Sequence, residues 1–241
     1  LHYDGQRLSD ELLAEAIEVC NQEEPDLIAL TGDYVTEEPE PIQELARRLK
    51  LLEARVGVFA SLGNHDLLFR RSRQVVTEAL TQAGVQVLWN VIAYPLGPHL
   101  AVVGFADYWS REFQPGPVLR QIDPETPRLV LSHNPDTAAI LQQWRVDLHL
   151  AGHTHGGQVS LPDGTPLPQL FEPLRQMTPK ALHRHIPLLR ECARVVDHWE
   201  WARGHHRLGA NQLYVNRGLG TYFPGRLGCP PEVTSLVLVR N

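Results

Sequence analysis

AGHTHGGQ, residues 151–158, is the stretch on which the reading of this chain turns. It follows an apolar run at 146–150 with the length of a short buried strand. His153 and His155 stand two residues apart, bracketed by Gly152, Gly156 and Gly157. Glycine lets a backbone turn sharply and lets a ligand approach it closely. Imidazole is the commonest protein ligand for transition metals, so both rings can reach into a metal site. Taken alone, the stretch fits a polar turn with two surface histidines equally well. Its neighbours decide between the two.

The same grammar recurs along the chain. A helix is predicted from Ser9, with Asp10 and Glu11 in its first turn and Leu12, Leu13, Ala16, Ile17 and Cys20 on one face. The apolar strand DLIALT at 26–31 follows and ends in Gly32-Asp33. A second helix is predicted over 41–54, then a strand over 56–61 ending in Leu62-Gly63-Asn64-His65-Asp66. A third helix at 72–83 and a strand at 85–88 follow. Between 91 and 107 the pattern shifts to short strands broken by Pro95, Gly97 and Pro98, which predicts antiparallel pairing. The strand at 128–131 ends in Ser132-His133-Asn134, with a helix capped by Asp136 or Thr137 after it. Closing strands are predicted at 213–216 and 233–239. Ligands of open α/β sheets bind at the carboxyl ends of strands, and that is where the polar residues gather.

Composition narrows the function classes. The 241 residues suit one large α/β domain, and 43% apolar with 21% charged residues is ordinary for a soluble globule. No apolar run approaches a membrane span, and no signal peptide is visible. The net charge is −6 and lysine occurs only at Lys50 and Lys180, which argues against a general nucleic-acid binder. Cys20, Cys192 and Cys229 match no zinc or redox spacing and read as inert thiols. His149 alternates on a strand and needs no metal; His99, His183, His185, His198, His205 and His206 read as non-ligands.

Collected, the strand ends offer Asp33, Asn64, His65, Asp66, His133, His153 and His155, with His2 at the front of the chain. A carboxylate can bridge two cations, and mixed histidine and oxygen ligands suit Mn, Fe or Zn. Two such ions about 3.5–4 Å apart can clamp a phosphoryl group and deprotonate water.

The order of motifs resembles the calcineurin-like metallophosphoesterase family: His2, then Gly32-Asp33, Gly63-Asn64-His65-Asp66, His133, and Gly152-His153-Thr154-His155. The tail Asn216-Arg217-Gly218-Leu219-Gly220, with Gly228-Cys229-Pro230-Pro231-Glu232, is similar to a bacterial subgroup tied to membranes and cell envelopes. Relatives in that subgroup hydrolyse UDP-2,3-diacylglucosamine. The resemblance implies a single domain over 1–241, an αββα sandwich of two packed mixed sheets with helices outside. It implies two divalent ions, Mn first with Fe and Zn as alternatives, and a phosphodiester or pyrophosphate substrate such as a nucleotide-linked lipid.

Carried over by residue, Asp33 would bridge the metals, His2 and His155 would serve the first, and Asn64, His133 and His153 the second. His65 would donate a proton to the leaving oxygen and Asp66 would hold its ring. Arg217, beside glycines, would contact phosphate. The family's first aspartate would precede Leu1, so the pattern is met from its histidine onward. The irregular segment 171–207, rich in arginine, histidine and tryptophan, is expected to cap the site, with an amphipathic helix over 186–196. A cytoplasmic protein resting peripherally on a membrane surface is expected. The rivals are a nuclease of the same family and a metal-binding protein without turnover.

Overall fold

Ser9 accepts the backbone N–H of Leu12 at 3.2 Å, and Asp10 and Glu11 follow in the first turn of α1 (Asp10–Gln22). Acidic residues there face the positive end of the helix dipole, so the first helix begins where its sequence signals it. A computed structural model of the chain describes residues 1–179, 182, 185–186, 195–222 and 225–239. After α1 come β1 (Leu27–Leu30), α2 (Ile42–Leu49), β2 (Gly57–Ala60), α3 (Ser72–Gln82) and β3 (Val85–Val87). Next are β4 (Val91–Ala93), β5 (Pro95–Pro98), β6 (Ala101–Gly104), α4 (Pro115–Leu119), β7 (Arg128–Leu131), α5 (Thr137–Leu141) and β8 (Leu148–Ala151). The short α6 (Glu172–Met177), β9 (Gly204–Leu208) and β10 (Asn211–Val215) close the order.

The strands form two sheets. One is the parallel set β1-β2-β3; the other is mixed, in the order β4-β6-β7-β8-β10-β9. The antiparallel pairing expected near 91–107 is that of β4 with β6, Val91 opposite Gly104. Alternation along the strands builds the layers, because successive side chains point to opposite faces. Ile28, Val58, Ala60 and Val85 pack outward onto Leu13, Ile17, Leu45, Leu49, Val76 and Leu80 of the helices. Leu27, Ala29 and Phe59 point the other way, against Val102, Leu129 and Leu131 of the second sheet. On that sheet's far side, Val103 and Val130 meet Val118, Leu119 and Leu141 of α4 and α5. The result is the four-layer αββα sandwich.

Three expectations change in the structure. The second helix stops at Leu49, well short of residue 54. The segment 233–239 forms no strand: its apolar residues find no ladder among the described residues, and Val237 and Val239 are 87% and 77% exposed. Asp136 stands at the N-cap of α5, but its carboxylate makes no cap bond. It accepts the backbone N–H groups of Asp197 (2.7 Å) and His198 (3.0 Å) instead, drawing the end of segment 171–207 onto the core. The amphipathic helix expected at 186–196, and Cys192 with it, fall almost wholly outside the described residues.

Candidate metal centre

β1, β2, β7 and β8 all present their carboxyl ends at one edge of the sandwich, two from each sheet. Asp33 follows β1, Asn64 and His65 follow β2, His133 follows β7, and His153 and His155 follow β8. His2 joins them because residues 1–3 run beside the end of β1; the N–H groups of His2 and Tyr3 donate to the carbonyls of Asp33 and Tyr34, each at 2.8 Å. The turns are tight. A Cβ on Gly32, whose φ is +98°, would meet Gly63 N at 2.5 Å and His133 Nδ1 at 2.7 Å, so only glycine fits.

Asp33 is the centre of the arrangement. Its Oδ2 lies 3.2 Å from His2 Nε2 and 3.0 Å from His133 Nε2. Among the described residues, two groups of side chains can hold a metal ion: His2, Asp33 and His155, and Asp33, His133 and His153. One carboxylate belongs to both. Each histidine has one ring nitrogen turned into the shared space and the other held by the protein. His133 Nδ1 is 2.6 Å from the carbonyl of Thr31, and His153 Nε2 is 2.8 Å from that of Val195. His155 Nδ1 is 3.3 Å from Gln158 Oε1, and His2 Nδ1 is 2.9 Å from the Tyr222 hydroxyl. Outer partners of this kind fix the tautomer and orient the nitrogen that faces a metal.

Other observations of this chain test whether a metal pair fits. Asn64 Oδ1 is buried and has no hydrogen-bond partner, which is costly for a carbonyl oxygen unless a cation claims it. His2 Nε2 is likewise buried and faces the Asp33 carboxylate without a well-formed hydrogen bond to it. His2, Asp33, His153 and His155 all have left-handed backbones, φ +52° to +69°, a conformation that side chains other than glycine rarely adopt and that clusters at functional sites. The donor set is neutral imidazole, carboxylate and amide oxygen, suited to divalent transition ions. The residues fit the pair.

The electrostatics agree. Burial pulls His2 down to about 4 and His153 to about 3, and holds His155 well below its usual value, so all three rings are neutral and able to ligate at neutral pH. Burial opposes ionisation of Asp33 as well, but the rings of His133 and His2 overcome it and hold its carboxyl well below the usual range. His133 goes the other way: against burial, Asp33 raises it to about 9. A proton shared between these two sits where a cation would neutralise the same carboxylate.

The profile of the calcineurin-like phosphoesterases matches residues 2–157, from the first candidate ligand to just past the last. The chain belongs to the calcineurin-like phosphoesterase family.

This phosphoesterase is 33% identical over 233 residues to "Phosphodiesterase YaeI" of Escherichia coli, covering 95% of the chain and 76% of that protein. It is 28% identical to "UDP-2,3-diacylglucosamine pyrophosphatase LpxG" of Chlamydia trachomatis, over 87% of the chain and 72% of that protein. It is also 28% identical to "Uncharacterized metallophosphoesterase YkuE" of Bacillus subtilis, over 99% and 78%. The phosphoesterase is therefore a phosphohydrolase of a family that works with two divalent metals.

His65 donates its backbone N–H to Asp33 Oδ1 at 2.9 Å, and its Nδ1 is 2.5 Å from the carbonyl of Thr36, which leaves Nε2 to face outward. Asp66 does not hold that ring. Its two oxygens accept the backbone N–H groups of Gly63, Asp33, Tyr34 and Val35 at 2.8–3.3 Å, which ties the loops after β1 and β2 together. The ring nitrogen that Asp66 was expected to hold meets the carbonyl of Thr36 instead. Burial and the neighbouring Asp33 push the Asp66 carboxyl up to about 7. Arg217 lies with its stem against the loop after His155, since a Cβ on Gly156 would come 2.6 Å from its Cγ, and its Nε donates to Glu232.

Sequence reasoning passed over Tyr222, Gln158, Arg226 and Trp109. Trp109 sets its ring edge-on against His153, with centroids 4.8 Å apart. Arg226 donates to the carbonyls of Arg217 (2.7 Å), Gly220 (2.6 Å) and His155 (3.2 Å), which gathers the loop that carries Tyr222. Tyr222 follows Gly218 and Gly220, and an aromatic residue beside paired glycines was the available signal.

Proposed function

We propose that this phosphoesterase hydrolyses a phosphodiester or pyrophosphate bond in a nucleotide-linked lipid, using two Mn²⁺ ions held around Asp33. The sharing of Asp33 between two histidine groups carries the reading, because a single-metal site has no use for a second set. His2, Asp33 and His155 would hold one ion, and Asp33, Asn64, His133 and His153 the other. Bound there, the metals would supply Lewis acidity toward phosphoryl oxygens and lower the pKa of water.

The protein's own groups do the rest. Thr36 accepts the Nδ1 proton of His65, so Nε2 is the atom left to serve the leaving oxygen as acid. Arg217, paired with Glu232 beside the His155 loop, would meet a substrate phosphate.

The lipid and a membrane surface as partners are supported by the rim. Leu68 and Phe69, just after His65, and Trp109, against His153, are 45–51% exposed, and Arg70, Arg71 and Arg111 are exposed beside them. Apolar tips among arginines suit acyl chains under anionic headgroups. Among the described residues no helix is long and apolar enough to cross a membrane. Peripheral association at the cytoplasmic face of a membrane is part of the same proposal. LpxG, a relative whose name specifies UDP-2,3-diacylglucosamine, suggests the substrate to try first.

The test loads the purified chain with Mn²⁺ and compares bis-p-nitrophenyl phosphate, UDP-2,3-diacylglucosamine, its deacylated counterpart and single-stranded DNA. Turnover of the diester with preference for the acylated nucleotide is expected. Preference for DNA would make the protein a nuclease, and bound Mn²⁺ with no turnover would make it a binding protein.

A further inference from the structure

The four metal-facing histidines differ in what holds their second nitrogen. Three lean on oxygens that can only accept: the carbonyls of Thr31 and Val195 and the amide oxygen of Gln158. The fourth, His2, leans on a hydroxyl. Tyr222 places its phenolic oxygen 2.9 Å from His2 Nδ1. When His2 Nε2 ligates a metal, the ring proton must sit on Nδ1, so the phenolic oxygen becomes the acceptor. Its own O–H is then left over.

Among the described residues nothing claims that proton well. The nearest candidates are His65 Nδ1 at 3.2 Å and Nε2 at 3.4 Å. An oxygen nearly equidistant from both nitrogens of one ring lies outside the lone-pair direction of either, and Nδ1 already serves Thr36. The hydroxyl therefore opens into the space between His2 and His65, where the reacting phosphorus must lie if His65 serves the leaving oxygen.

The ring is fixed there from several sides. It stacks on His155 at 5.5 Å and 25°, meets His2 edge-on at 4.8 Å, and carries the Arg7 guanidinium 4.8 Å from its centroid. Its backbone N–H donates to Gln158 Oε1 at 2.6 Å, the same atom that holds His155. A donor held this rigidly needs little reorganisation when charge develops on a phosphoryl oxygen.

We propose that Tyr222 is a catalytic residue of this centre. Its oxygen accepts the Nδ1 proton of metal-bound His2, and its hydroxyl donates a hydrogen bond to a phosphoryl oxygen of the substrate. The inference rests on the dinuclear reading above.

Tyr222→Phe tests it with the full chain, read by Mn²⁺ titration calorimetry, by inhibition with inorganic phosphate, and by kcat and KM on bis-p-nitrophenyl phosphate. The variant is expected to bind one of its two Mn²⁺ ions roughly 10-fold more weakly, as for a lost outer partner. At saturating Mn²⁺ its kcat should stay down by roughly 10²-fold, with weaker inhibition by phosphate. Full recovery of rate and phosphate affinity at saturating Mn²⁺ would overturn the substrate contact and leave only a positioning role. Unchanged metal affinity and rate would overturn the inference altogether. Failure of the wild-type chain to bind two Mn²⁺ would instead defeat the dinuclear reading, a result visible before any variant is made.

Discussion

The Nε2 of His153 sits 2.8 Å from the carbonyl oxygen of Val195, so a metal-facing ring is held by the segment expected to cap the site. Two more contacts reinforce the tie. Thr154 donates its hydroxyl to the carbonyl of Ala202 at 2.5 Å, and Asp136 receives the N–H groups of Asp197 and His198. Residues 195–202 thus belong to the support of the centre, and any cap must lie before them.

That division makes a prediction. Replacing 195–200 with a Gly-Ser linker should weaken Mn²⁺ binding roughly 10-fold, because a flexible chain no longer holds the carbonyl of position 195 in place against His153. Replacing 180–193 should leave turnover of a small diester within a few-fold while weakening binding of an acylated nucleotide. Calorimetry and paired substrate assays separate the two, and a loss of metal affinity from the second replacement would refute the division.

A second prediction sorts the ligands. Asp33→Asn exchanges the shared carboxylate for an amide that bridges cations poorly, so both ions and all turnover should be lost. Asn64→Leu removes only one ligand, the orphaned oxygen, and should cost one ion. His65→Ala should keep both ions and lose roughly 10²–10⁴-fold in rate. Metal counting on the three purified variants checks the order; a metal-free His65→Ala protein would remove His65 from its proposed role.

Much of this centre could be read in the sequence because its candidate ligands are side chains beside glycines. Gly32-Asp33, Gly63-Asn64-His65 and Gly152-His153-Thr154-His155 each mark a strand end by composition alone. The supports were invisible for a physical reason. Thr31, Thr36 and Val195 act through backbone carbonyls, which every residue possesses, so no residue type betrays them. Asp66 misled for a related reason: next to His65 in sequence, it points away and collects backbone N–H groups instead. The run at 233–239 has the apolar, β-branched composition of a strand, but a strand also needs a neighbour to pair with, and composition cannot supply one.

Asp66 can be tested through stability. Asp66→Asn replaces one carboxylate oxygen with an NH₂ group facing backbone donors, in a site buried from solvent. A loss of roughly 2–3 kcal/mol is expected from unpaired buried donors. Urea unfolding of the metal-free protein measures it. If Asp66 acted mainly by orienting His65, the variant would keep its stability and lose activity alone.

The last prediction concerns pH and uses a histidine remote from the metals' ligand set. His149 on β8 is buried, with Nε2 3.2 Å from the carbonyl of Ser132 and Nδ1 without a partner. Burial lowers its pKa from 6.5 to about 4. The unfolded chain therefore takes up a proton as pH falls through 6.5, while the folded protein refuses it until about pH 4. Stability contributed by neutral His149 is complete above pH 6.5 and drains away as pH drops toward 4, by about 3 kcal/mol in all. His2, His153 and His155 have lowered values too, so the metal-free wild type should show a steeper total dependence than one group gives. His149→Phe isolates the single contribution, since phenylalanine fills a similar volume and binds no proton. Urea midpoints taken at half-unit steps from pH 7.5 to 4.5 should fall less steeply for the variant, by up to about 1.4 kcal/mol per pH unit. Parallel curves for the two proteins would mean that His149 accepts its proton in the folded protein and is not a buried, neutral ring.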